Sequence, residues 1–132
     1  MERVRIIDEV PYERLPELYA MSDLAVSFPI LDAFPVTFLE ASACEVPILT
    51  HHRIAYESHG MADFLSLMET EDPNSIGGQM AGLCSDPIAN ERARAARRHV
   101  ARHYSETAFG RALIGAYETL LQDKLQRSAT YA

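Results

Sequence analysis

The chain has 132 residues, 48% of them hydrophobic and 23% charged, the size and balance of one globular domain, which excludes wholesale disorder. Its formal charge of −7 argues against a general nucleic-acid partner, because neutralising phosphates takes positive charge. No apolar run nears the roughly 18 residues of a membrane span, and the first ten residues lack the apolar stretch of a secretory leader, so a cytoplasmic protein is expected.

Residues 4–7 (VRII) are β-branched and apolar and predict a strand. Residues 12–22 follow with Leu15, Leu18 and Tyr19 at helical spacing, and Asp23 breaks the run. A second strand is predicted at 24–28 (LAVSF), closed by Pro29. Residues 30–34 are predicted to form a loop. Pro35, with no amide hydrogen to waste, suits the start of a helix that runs to about Cys44. Residues 47–50 (PILT) give a third strand, 51–61 a polar loop, and 64–68 (FLSLM) a fourth strand.

Asp72-Pro73-Asn74 signals a turn and a helix start, with Ile76, Met80, Leu83 and Cys84 behind it. Gly77 and Gly78 weaken that helix by about 1 kcal/mol each relative to alanine. Asp86-Pro87 opens another helix through about His103, and Ser105 suits the N-cap of the last one. That helix reaches about Leu125, with Phe109, Leu113, Ala116, Tyr117, Leu120 and Leu121 on one core-facing stripe. Residues 126–132 read as a frayed tail. Cys44 and Cys84, without CxxC spacing, read as two reduced, buried thiols.

Charge is unevenly placed. Residues 1–90 hold four bases and fifteen acids, whereas 91–132 hold eight bases and four acids. Arg92, Arg94, Arg97, Arg98 and Arg102 supply most of the basic excess and read as a solvated helix face. They are also the one feature that could meet the inner face of a membrane.

Alternating short strands and helices predict an α/β fold with a parallel sheet and helical crossovers. Such sheets place ligands at the carboxyl ends of their strands. The stretch from Asp32 to Ile48 (DAFPVTFLEASACEVPI) lies there. Asp32 precedes the helix, and Glu40 sits inside it eight residues later, among Val36, Phe38, Leu39, Ala41 and Ala43. A carboxylate so surrounded needs a partner: a ligand hydroxyl, a backbone amide or a cation such as Arg53. The helix start at 36–38 offers unused amides and a positive dipole end, which suit phosphate. Carboxylates for hydroxyls and amides for a diphosphate together describe a site for a nucleotide sugar.

The same stretch resembles the E-x7-E motif of retaining family-4 glycosyltransferases, which have the two-domain GT-B fold. Asp32-Ala33-Phe34-Pro35, Leu39-Glu40-Ala41, Ala43 and Pro47-Ile48 carry the likeness, and residues 12–27 are similar to the L-x-x-x-Y-x-x-A-D approach that precedes it. Glu57 and Asp72-Pro73 match later positions, so the resemblance spans about residues 4–121. It implies a three-layer Rossmann-like sheet with flanking helices, the partial C-terminal domain of a GT-B fold, over residues 1–125. It implies transfer of a sugar from a nucleotide diphosphate sugar to an acceptor hydroxyl with retention, with no cofactor and no required metal. Asp32 then takes the place beside the donor sugar and reacting centre, Glu40 binds ribose hydroxyls, and the Val36 and Thr37 amides face the sugar and phosphate.

Two positions depart from the pattern. Asp32 is one methylene shorter than the usual glutamate, and Glu45 stands where glycine ends the helix. By the usual strand order 3-2-1-4-5-6, residues 4–7 are strand 3 and two central strands are missing, as is the acceptor domain. A truncated, poorly stable chain that is inactive alone is the expectation. Two other readings stand beside it. One is a non-catalytic or split-enzyme subunit that takes its missing half from a partner chain or self-associates through open sheet edges. The other is a metal hydrolase built on His51, His52, His59 and Asp63 or Glu57, whose spacing matches no common ligand set.

Overall fold

The computed structural model describes residues 3–30, 34–52, 54–69 and 71–130. Two compact units divide the chain, Met1–Arg98 and His99–Ala132.

In the first unit, a 3-10 turn at Tyr12–Arg14 leads into helix α1 (Leu15–Ala20) and strand β1 (Ala25–Val26). Helix α2 (Val36–Ala43), strand β2 (Ile48–Thr50), helix α3 (Ile54–Ser58) and strand β3 (Ser66–Leu67) follow. Helix α4 (Pro73–Leu83) and most of helix α5 (Pro87–His103) complete it. The fold is α/β, and its three-stranded sheet is wholly parallel in the order β1-β2-β3. Each crossover carries a helix, as parallel neighbours require.

Burial explains why β2 lies in the middle. Val46, Ile48 and Leu49 are all buried, a continuous apolar run of the kind that parallel strands covered on both faces show. Phe38 and Ala41 of α2, Tyr56 of α3, Met61 and Leu65 join them in one core. On α5, Ala89, Ala93 and Ala96 form a buried small-residue stripe, while Arg94, Arg97 and Arg98 are exposed, so its basic face is solvated.

The two edges of the sheet differ. Beside β3, the Gln79 side chain of α4 donates to the Leu67 carbonyl at 2.7 Å and accepts from the Glu69 amide at 3.4 Å, which occupies that edge. On β1, the Ala25 and Ser27 amides donate to Pro47 and Leu49 of the neighbouring segment, so the peptide groups of Val26 face away from β2. Among the described residues nothing pairs with that outer edge.

Caps fall where the sequence places them. Asp72 accepts from the Ser75 amide at 2.9 Å ahead of Pro73 at the start of α4, and these hydrogen bonds hold its carboxyl below the usual carboxylate range. In the second unit, Ser105 Oγ accepts from the Ala108 amide at the start of helix α6 (Glu106–Thr130).

Five expectations need correction. Residues 4–7 are not a strand but exposed coil, because strand geometry depends on a ladder partner and none is present among the described residues. The polar loop expected at 51–61 contains α3, which buries Tyr56. Helix α6 continues past Leu125 to Thr130, and the stripe from Phe109 to Leu121 is exposed rather than core. A helical period shows that a stripe exists, whereas burial depends on an apposed surface that the helix does not encode. Both cysteines are free thiols, but Cys84 is exposed and Cys44 half-buried.

Candidate functional site

The carboxyl ends of β1 and β2 feed the segments that precede α2 and α3. Pro35 is the N-cap of α2, with φ −69° and ψ 127°, and offers no capping side chain. The Phe38 amide donates to the Pro35 carbonyl at 3.1 Å, closing the first turn. The amides of Val36 and Thr37, at the positive end of the helix dipole, meet no acceptor among the described residues.

Glu40 lies one turn on, on the face of Val36 and Thr37. Its carboxylate is half-buried, and Oε2 accepts from the Tyr19 hydroxyl of α1 at 3.2 Å. No described residue donates to Oε1. Tyr19 is pushed up to about 12, first by burial and then by the charge of Glu40 and the hydrogen bond to it. The phenol therefore stays protonated and keeps donating well above neutral pH. Beside it, burial pushes the Cys44 thiol up, with Glu40 adding to the effect and Arg97 opposing it.

Tyr19 lines two clefts. One, of about 320 Å³, is lined by Tyr12, Leu15, Pro16, Glu40 and Cys44 with Tyr19 itself. The other, of about 300 Å³, shares Leu15 and Tyr19 and reaches Thr37, Phe38 and Ser27. The structure thus brings Val36, Thr37 and Glu40 onto one helix, with Thr37 lining one cleft, Glu40 the other and Tyr19 both. Asp32 and Arg53 lie outside the described residues.

The need of Glu40 for a partner was readable in its apolar neighbours, but the partner was not. Tyr19 is 21 residues away on another helix, and its only signal was the tyrosine of the Leu15-to-Asp23 pattern, read for its helical spacing rather than for its hydroxyl. A second missed feature is aromatic. Phe34 stacks on His59 with ring centroids 4.3 Å apart and planes 22° from parallel, and Phe28 stacks on His51 at 6.1 Å. His52 pairs with Glu57 at 3.5 Å. Among the described residues no three His, Cys, Asp or Glu side chains group as a metal site.

The sequence model of the family described as glycosyl transferases group 1 matches residues 1–100. The chain belongs to this family. No curated protein and no solved structure gives a significant match. The matched region contains α1, α2 and both clefts, so the Tyr19–Glu40 pair and the first turn of α2 sit within the glycosyltransferase part of the chain. Among the described residues no helix is long and apolar enough to cross a membrane.

Proposed function

We propose that this glycosyltransferase chain binds the donor, a nucleotide diphosphate sugar, for a retaining transfer to an acceptor hydroxyl on a GT-B framework of the family-4 kind. The observation that carries the reading is the state of Glu40. One carboxylate oxygen is committed to Tyr19 and the other meets no described donor, one helical turn from two amides that no described residue caps.

In this reading Tyr19 fixes the carboxylate so that Oε1 accepts from a ribose hydroxyl, a charge-assisted bond stronger than a neutral one. The Val36 and Thr37 amides and the helix dipole receive the phosphate and sugar, a neutral means of holding an anion in a region that carries far more acids than bases. Asp32 is assigned the place beside the reacting centre, with a reach shorter than glutamate by about 1.5 Å, one carbon–carbon bond. No cofactor is required, and the donor is substrate.

Titration calorimetry with nucleotide diphosphate sugars of different bases tests this. Glu40→Ala is expected to weaken the donor that binds by tenfold or more, since a hydrogen bond to a charged group contributes about 1.5–3 kcal/mol. Donor binding unchanged by Glu40→Ala removes Glu40 from the site.

A second reading, a subunit that pairs with another chain, is favoured by the outer edge of β1, whose peptide groups no described residue meets while Gln79 occupies the edge of β3. Sedimentation velocity of the purified chain separates its self-pairing form: a monomer at every concentration excludes it.

A further inference from the structure

We propose that His59 is a positioning residue for the first turn of α2, acting through its stack on Phe34. The inference rests on the reading of Val36 and Thr37 as donor-facing, and it adds a residue that lies some twenty positions downstream of them.

Phe34 is gripped from several sides. His59 meets it face to face at 4.3 Å, Phe38 meets it edge-on at 6.4 Å and 84°, and Tyr56 at 6.5 Å and 68°. Phe38 and Tyr56 are themselves edge-to-face at 5.4 Å and fully buried, and the Tyr56 hydroxyl lies 3.5 Å from Thr50 Oγ1 of β2. Offset and edge-on contacts of this kind are the arrangements that ring quadrupoles favour. His59 differs from the other two because it is exposed, so core packing does not account for its placement.

Its own backbone is fixed. The Gly60 amide donates to Glu57 and the Met61 amide donates to Tyr56 at 2.9 Å, with Gly60 at φ 65° and Met61 fully buried. This is a closed helix end that turns the chain inward, and it holds the imidazole over Phe34 from a tethered position.

From Phe34 the constraint passes forward through stiff links. The residue before a proline is restricted in its own backbone, and the proline ring locks φ, observed at −69° for the buried Pro35. Val36 follows directly. With Phe34 anchored and Pro35 rigid, little freedom remains between the stacked ring and the Val36 and Thr37 amides. Releasing Phe34 on the His59 side loosens that link and lets the two donors shift, while Tyr19 still holds the Glu40 carboxylate.

Three variants of the whole chain test this, His59→Ala, His59→Leu and His59→Phe, with two measurements on each. Backbone amide resonances of Val36 and Thr37 are expected to shift in the Ala and Leu variants and to return toward the native values in the Phe variant, because only a flat ring restores the stack. Donor affinity is expected to fall about tenfold in Ala and Leu and to recover in Phe, the sensitivity to sub-ångström placement that oriented sites show. Amides that do not move in His59→Ala, or that move equally in His59→Phe, overturn the proposal, as does donor binding that ignores a shifted first turn. If the native chain binds no nucleotide sugar, the functional reading falls, and the amide resonances still decide whether His59 positions α2.

Discussion

Helices α2 and α3 end in the same backbone motif with opposite residues at its critical point. After α2, the Val46 amide donates to the Ala41 carbonyl and the Glu45 amide to Ser42; after α3, Met61 donates to Tyr56 and Gly60 to Glu57. Both are Schellman ends, closed by a residue with left-handed backbone and followed by a buried apolar residue, Val46 or Met61. Gly60 sits at φ 65°, where glycine is at ease, whereas Glu45 sits at φ 60°, where a side chain crowds the carbonyl. The left-handed turn after α2 is therefore kept without the residue that favours it. What holds it is downstream burial: Val46, Ile48 and Leu49 must enter the sheet core, and the turn is the route that takes them there. Glycine lowers the cost of such a turn but does not dictate it.

Substituting the favourable member of the pair gives the largest effect. Gly60→Ala places a β-carbon on a left-handed residue and is expected to destabilise the first unit by roughly 1–2 kcal/mol, less the smaller gain from a stiffer unfolded chain. Urea melts of the native and variant chains measure it. Because Gly60 follows His59 directly, a loosened α3 end should also show in the Phe34 ring resonances. An unchanged midpoint would mean that the α3 end is not the tether that the buried Met61 implies.

How much of this was legible depends on whether the signal is local. Asp72-Pro73, Ser105 and Pro35 mark helix starts through their own chemistry, and the three paired strands lie within the segments that their apolar runs indicate. Residues 4–7 have the same β-branched character and form no strand, because a strand is a property of a pair. The stripe on α6 has the period of a core helix and stays exposed, for the analogous reason. Helix α3 has five residues, too few for a period to show. In the candidate site, the isolation of Glu40 among apolar neighbours could be read, and so could the glycine missing at 45. The Tyr19 hydroxyl and the Phe34–His59 stack arise from tertiary placement, which spacing along one helix does not encode.

Glu45→Gly sharpens the comparison by making the two helix ends alike. Relief of the left-handed strain contributes about 1–2 kcal/mol. Added freedom in the unfolded chain offsets about 0.4–1 kcal/mol of that, leaving a net gain expected at or below about 1 kcal/mol. A rise in the urea midpoint at constant slope is the expected outcome. A loss would mean that the Glu45 side chain contributes more than its backbone costs.

The smallest effect isolates that side chain. Arg97 of α5 donates to Glu45 Oε1 at 2.9 Å, and the two side chains are 58% and 39% exposed, which places the pair among surface ion pairs that contribute about 0–1 kcal/mol. Arg97→Ala alone should therefore lower stability by less than Gly60→Ala and lose its effect in high salt. The informative measurement is the cycle of Glu45→Gly, Arg97→Ala and the double variant. If the pair holds the strained turn in place, Glu45→Gly gains more when Arg97 is already absent, because no ion pair is then lost with the carboxylate. If the turn is set by the burial of Val46 and Ile48, as the closed hydrogen bonds indicate, the coupling stays within the range of an ordinary surface pair. A coupling well above that would transfer the cause of the left-handed turn from the sheet core to the α5 arginine.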